Sequence, residues 1–370
     1  MPQILDVGEE LRRQLAASDR RAQAYIRDGL AKVLAAAQGE SKRYADQLAG
    51  GRVTNHALFQ DARFRLLTSQ LSESVASASK GLANSTATLL DDTIRATHEV
   101  MERHVRSIAD GSDVSVPWNP VSVEAFALMS GFTADGSPLQ KIFERASAAG
   151  ASSARDALRA GVVMGLSSTN TAKNVRKALN ISAYRSHLIA RTELHRTARE
   201  VQRATMSANA HIYEGWTWRA ATDSTTCVIC WALHGRFFPI TYGEKDTTFT
   251  GMLSASAIPA PPSPWAARPF VPEMLSHPNC RCALVPRPRS FAEILGDPTI
   301  PDDRDVLPPQ DGLSAGERAF TSLPEATKLA ILGPARYAHY KQDPNLTQFL
   351  MVRPDPVWGD TMVLRPLCRC

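Results

Sequence analysis

The stretch "IYEGWTWRAATDSTTCVICWALHGRFF", residues 212–238, is where the sequence changes texture. Before it the chain reads as a succession of helices. Inside it aromatic and other side chains alternate, with Trp216 and Trp218 two apart on one face as a strand requires. "HGRFFPI" (234–240) reads as a second short strand after a glycine turn, and "CRCALVP" (280–286) as a third. The predicted fold class is therefore α+β. Long N-terminal helices lead into a helical core region, followed by a small antiparallel β unit with a Cys/His metal site.

Working outward, the first helical pattern places Leu11, Leu15, Ala22, Ile26, Leu30, Val33 and Leu34 at steps of three, four and seven, with polar residues between them. "AGGRVTN" (49–55) breaks it. A second pattern runs from about His56 to Asp110, with Leu66, Leu67, Leu71, Val75, Leu82, Leu89, Leu90, Ile94, Val100, Met101, Val105 and Ile108 on its apolar side. Two long antiparallel helices suited to docking are the simplest arrangement. "DGSDVSVPWNP" (110–120) reads as a linker. Further helices are expected in "SVEAFALMSG" (122–131), "SPLQKIFERASAAGASSARDALRAGVVMG" (137–165), "SSTNTAKNVRKALN" (167–180) and "AYRSHLIARTELHRTAREVQRATMSANA" (183–210). After the β unit, a Pro/Asp-rich linker (297–312) precedes a short helix pair and an extended end. The expected organisation is an N-terminal helical docking region (1–115), a core with the Cys/His cluster (116–290), and a linker with a helical and extended tail (291–370).

Bulk properties narrow the function. At 370 residues the chain exceeds the usual size of a single core. It is 44% hydrophobic and 21% charged, a globular composition. No apolar run approaches the roughly 20 residues that cross a bilayer, so no membrane role is expected. "MPQILDVGEELRRQL" lacks the basic and apolar regions of a signal peptide, which predicts synthesis in a reducing cytoplasm. The formal charge of +5 permits contact with DNA or an acidic protein without requiring either.

Chemistry concentrates in the cysteines. Cys227 and Cys230 form a C-x-x-C pair, and His277 with Cys280 in "SHPNCRC" (276–282) repeats that spacing, with Cys282 two residues on. Two such turns, each presenting two soft ligands, are a way to build a tetrahedral zinc site. The ion would offset the cost of the long Gly/Ser/Pro-rich stretch 241–276 between them. Five candidates compete for four places. In an extended C-x-C the two side chains point to opposite faces, which leaves one of Cys280 and Cys282 over. Reduced cysteines packed at a hairpin, or cysteines in redox or nucleophilic use, are the alternatives. His234 is a minor further candidate, and "CRC" recurs at 368–370. Glu193, His195 and Glu200 share a helix, but their spacing does not suit a zincin, and a salt-bridged face accounts for them. There is no P-loop, no dinucleotide fingerprint and no G-x-S-x-G elbow. Nothing names a reaction.

The order of these motifs carries a resemblance. "ARTE" (190–193), Asn209, "GWTWRAATDSTTCVIC" (215–230), "LHGRFF" (233–238), a Pro-rich stretch and "HPNCRCALVP" (277–286) resemble the phage head morphogenesis family typified by the minor head protein of phage Mu, over about 120 to 290. The tail segment "FTSLPEATKLAILGPARYAHYK" (320–341) is similar to what often follows the motif. The resemblance implies a virion protein of a tailed phage that associates with the portal protein and with major capsid or scaffolding protein. It also implies a role in head assembly, with DNA as a further partner in packaging or ejection. It places Cys227, Cys230, His277, Cys280 and Cys282 in the family's Cys/His motif and Arg191, Thr192 and Glu193 in its helix motif. The expected protein is not an enzyme and carries structural zinc. The rival expectation is an enzyme, or a zinc module binding DNA, at the packaging vertex.

Overall fold

In the computed structural model, the described residues are 7–47, 62–110, 117–121, 139–164, 166, 168–240, 277–299, 314–355 and 359–367. The break at 49–55, the segment "SVEAFALMSG", the loop 241–276, most of the 297–312 linker and Cys368 and Cys370 lie outside them. The helical elements are α1 (Val7–Gln47), α2 (Ala62–Asp110), α3 (Leu139–Val163), α4 (Ser168–Ala208), α5 (Val228–Leu233), α6 (Phe291–Leu295), α7 (Ala315–Thr321) and α8 (Glu325–Tyr340). The strands are β1 (Tyr213–Arg219), β2 (Phe237–Pro239), β3 (Ala283–Pro288), β4 (Leu350–Asp355) and β5 (Gly359–Leu364). The α+β expectation stands, helices dominating and the strands all antiparallel. One expected boundary is absent. "SSTNTAKNVRKALN" and "AYRSHLIARTELHRTAREVQRATMSANA" are a single 41-residue helix, α4. No Gly or Pro interrupts the sequence between them, so nothing ends the backbone ladder.

The chain forms two compact units. One comprises Ala17–Leu90 and Ser137–Arg191 and contains helices and no strand among its described residues. Its core takes Val33 from α1, Leu71 and Val75 from α2, Ala151, Ala154 and Leu158 from α3, and Val175 and Leu179 from α4. These residues recur at helical spacing, which is why the amphipathic pattern was readable. Small residues let the helices approach. A Cβ on Gly161 would fall 2.4 Å from Thr171 Oγ1, so the contact between α3 and α4 requires glycine. Asp19 of α1 accepts hydrogen bonds from Arg191 Nη2 (2.7 Å), Arg191 Nε (3.0 Å) and His187 Nε2 (3.0 Å) on α4. Burial works against ionisation of Asp19, but those hydrogen bonds and the charge of its two partners hold the carboxyl well below the usual range.

The other unit comprises Met1–Ala16, Asp91–Gly136 and Thr192–Cys370. Its sheet has the order β2-β1-β3. Trp216 pairs with Phe238 on one side and Pro286 on the other, and Trp218 pairs with Leu284. Both tryptophans are buried, as the alternation predicted, with Thr217 only partly so. Around the sheet pack Val7 and Leu11, Val100, Met101, Val105 and Ile108, and the whole of α5. The C-terminal elements supply Phe320, Leu332, Tyr340, Leu346, Phe349, Leu350 and Met362 to the same core. A buried Glu317 makes that attachment specific. It accepts from Arg236 Nη2 (2.8 Å), Ser314 N (2.8 Å) and Leu346 N (3.1 Å). Gly316 N donates to His234 O (2.9 Å), and the ring of Phe320 meets Trp231 edge-on at 5.8 Å.

Candidate metal centre

Two turns build the site. After β1 the chain makes an Asp223-centred turn, in which Thr225 N and Thr226 Oγ1 donate to Asp223 Oδ1. Cys227 then caps α5, accepting from Cys230 N at 3.5 Å, a position where small acceptors are favoured. α5 is a difference from expectation, since the sequence suggested only a turn here. Six residues are too few for a periodic signal, and the helix forms because all six are buried against the core. The second turn runs His277–Cys280, closed by Cys280 N donating to His277 O at 3.2 Å. Asn279 sits in the left-handed region (φ 68), which asparagine tolerates better than most residues. Arg281 ties the turns together across the surface, with Nη1 and Nη2 each 2.8 Å from the Asp223 carboxylate.

The side chains converge. Nε2 of His277 lies 3.2 Å from Cys227 Sγ and 3.1 Å from Cys230 Sγ. Cys282 Sγ lies 3.2 Å from Cys230 Sγ. Cys227, Cys230 and His277 form one group whose ligand atoms are all within 4.8 Å of one another, and Cys230, Cys280 and Cys282 form another. All five predicted residues are thus brought together, with Cys230 common to both groups. The argument from C-x-C alternation assumed a strand at 280–282. The strand starts only at Ala283, so both Cys280 and Cys282 turn inward and both are 1% exposed. His234 is not in either group. Its Nδ1 accepts from Ala220 N at 3.0 Å, and burial lowers its pKa.

The donor set fits a zinc ion. Zinc–sulfur bonds of about 2.3 Å in a tetrahedron put neighbouring donors about 3.8 Å apart, close to the 3.1–3.2 Å between His277 Nε2, Cys230 Sγ and their nearest sulfurs. The electrostatics are those of crowded thiols beside an imidazole and a guanidinium. Hydrogen bonding from Cys230, with help from His277, lowers Cys227 to about 5. Cys280 is drawn down by hydrogen bonds with Cys230 and Cys282 and by the charge of Arg199. Cys230 is pushed up, first by its hydrogen bond to Cys227. Cys282 is pushed up too: its contact with Cys230 acts the other way, but Cys280 and burial prevail. Crowded sulfurs in a dry pocket cannot all ionise without a positive charge among them.

Helix α4 lines the far side of the site with polar groups that the sequence did not reveal as such. Thr192 Oγ1 accepts from Asn279 N at 2.9 Å. Arg199 Nη1 donates to Cys282 O at 3.1 Å, and Gln202 Nε2 donates to Leu284 O at 2.6 Å. Positions 192, 199 and 202 share one helix face and read successive groups of the 279–284 segment. Arg199 is 1% exposed and stands 5.7 Å from the ring centre of Trp218. Its guanidinium reaches the cysteines, with Nη1 3.7 Å from Cys280 Sγ. The readable signal was a run of polar residues on the face where apolar ones belong. Glu193 and Glu200 are salt-bridged through Arg196, which pairs with Glu193 at 2.8 Å and with Glu200, although Glu193 is wholly buried.

With this geometry in place, the comparison with known families has a clear reading. Residues 152–285 match the family described as Phage Mu protein F like protein. The match supports the Mu F-like head morphogenesis family. It spans α4, β1, β2, the start of β3 and all five Cys/His residues, so the family's pattern and the cluster coincide. No curated protein and no solved structure matches the chain.

Proposed function

We propose that this Mu F-like chain is a non-enzymatic minor head protein of a tailed phage. It associates with the portal protein and with major capsid or scaffolding protein, acts in head assembly, and resides in the virion after synthesis in the host cytoplasm. Support comes from the family match and from a Cys/His cluster with the chemistry of a structural zinc site. When bound, zinc would supply a crosslink between residues far apart in sequence, and its binding energy would become folding energy. Cys227 and Cys230 hold the start of α5, while His277 and the cysteines after it hold the start of β3. The absence of any reaction-bearing motif supports the non-enzymatic reading. Among the described residues, no helix is long and apolar enough to cross a membrane.

Copurification from assembling heads tests the assembly role. The chain is expected to travel with portal and major capsid proteins in fixed stoichiometry, and its appearance with neither refutes the role. For the metal, about one zinc per chain is expected, and Cys227→Ser is expected to release it and destabilise the sheet-bearing unit. A folded, metal-free variant that still assembles counts against a structural zinc.

One surface favours DNA as a further partner. The α4 face carrying Lys173, Arg176, Lys177 and Arg185 is exposed, and no acidic residue occurs between 168 and 192. Asn180, Ile181 and Tyr184 complete that face. Such a face would bind duplex phosphates without sequence preference and with strong salt dependence. Loss of retention on DNA in the K173E/R176E/K177E variant is the expected outcome. Failure of the wild-type chain to bind DNA even at low salt rules the contact out.

A further inference from the structure

Five donors surround a place for four, and the hydrogen bonds around the sulfurs distinguish them. We infer that Cys280, not Cys282, completes the ligand set with Cys227, Cys230 and His277, and that Arg199 is the residue that positions and charge-compensates it. This rests on the metal reading above and goes beyond it in assigning the ligands and naming a residue outside the Cys/His motif.

Three observations carry the assignment. First, Cys280 heads a turn as Cys227 does. The Cys230 N–H points at Cys227 Sγ and the Cys282 N–H at Cys280 Sγ, each at 3.5 Å. Backbone N–H groups aimed at sulfur stabilise a thiolate, the form that binds metal. Second, Arg199 Nη1 lies 3.7 Å from Cys280 Sγ, while its contact with Cys282 is to the carbonyl oxygen at 3.1 Å. The guanidinium therefore reaches the sulfur of Cys280 and the backbone carbonyl of Cys282. Third, Cys282 Sγ lies 3.2 Å from Cys230 Sγ, within reach of an S–H···S hydrogen bond to that sulfur.

Charge closes the argument. Zinc with three thiolates and one neutral imidazole carries a net −1, the three thiol protons leaving to solvent on binding. Cys280 is 1% exposed, and so is Arg199. A buried anion needs a buried partner, and the guanidinium supplies +1 beside the thiolate that most lacks solvent. Thr192 serves the same end through the backbone, since its hydroxyl accepts from Asn279 N and so fixes the turn just before Cys280.

The test uses the full chain with zinc or cobalt alone, reading metal content, chelator-competition affinity and the thiolate-to-cobalt charge-transfer band. C282S is expected to keep one ion per chain with the three-thiolate band of the wild type. C280S is expected to lose the ion or to bind it at least about 100-fold more weakly with a weaker band. R199M is expected to lower affinity by about 10- to 100-fold, to shift the band to longer wavelength as the thiolate becomes more electron-rich, and to be partly rescued by R199K. Should C280S not fold, the C282S result still decides the assignment. A C282S chain that loses the ion, or an R199M chain with wild-type affinity and an unshifted band, overturns the inference. A wild-type chain that takes up neither metal overturns the metal reading itself, an outcome separate from any difference among the variants.

Discussion

Replacing Glu317 by alanine should detach the C-terminal elements from the helix that carries Cys227 and Cys230. Glu317 is fully buried and has three partners: Arg236, on the turn between α5 and β2, and the backbone N–H groups of Ser314 and Leu346. Breaking a buried ion pair by removing one partner costs about 3–5 kcal/mol, because the remaining charge is left uncompensated. Each stranded buried N–H adds roughly 1–3 kcal/mol, although these contributions overlap and do not sum. A loss of about 4 kcal/mol is expected. The assay is urea unfolding read by tryptophan fluorescence. The described tryptophans, Trp118, Trp216, Trp218 and Trp231, all belong to the unit comprising Met1–Ala16, Asp91–Gly136 and Thr192–Cys370, and their signal follows that unit. With a slope of about 2.5 kcal/mol per molar urea, the midpoint should fall by roughly 1.5 M. Glu317→Gln keeps one acceptor oxygen and loses the charge, so it should fall about half as far. Trp231 should report directly, because its ring contact with Phe320 is lost with the segment. A Glu317→Ala midpoint within about 0.3 M of wild type would refute the idea that this carboxylate fastens the segment.

Other expectations follow from the same residues. His104 is buried with Nδ1 3.0 Å from the Tyr213 hydroxyl, and burial pushes its pKa down from 6.5 to about 4. Its unfolded form binds a proton first as pH falls. Stability is therefore intact above about 6.5 and lost between there and about 4, by roughly 3 kcal/mol. His104→Gln should flatten that slope in urea midpoints measured against pH, and an unchanged slope refutes the assignment. Asp19→Ala removes the acceptor shared by His187 and Arg191 and should cost about 3 kcal/mol. Faster hydrogen exchange in α1 and α4 within the unit of Ala17–Leu90 and Ser137–Arg191 would register it, and unchanged protection would contradict it. Leu158→Ala opens a cavity among Val33, Val75 and Leu179 and should cost about 2–5 kcal/mol by the same exchange measurement.

Much of this protein was readable in its sequence because the signals were local. The apolar periods of α1 to α4 gave the helices, since i, i+3 and i+4 neighbours share a face whatever lies opposite. The Trp216 and Trp218 alternation marked β1, and the two turns with i, i+3 ligands marked the Cys/His cluster. Tertiary packing decided the rest. Helix α5 exists because a six-residue apolar run found a core on every side. Cys282 joined the cluster because β3 begins one residue after it, which cancels the strand alternation that set it apart. Arg199 is buried because the 280–284 segment packs over its face of α4, a contact no local pattern announces. Phe320, Leu346 and Met362 entered the sheet's core from a stretch that reads as a tail. Sequence by itself determined the elements and the ligand types, because hydrogen-bond ladders and turns involve only near neighbours. Which sulfur faces the arginine, and what closes over α5, depended on contacts between residues 50 to 100 positions apart, and only the fold brings those groups within reach.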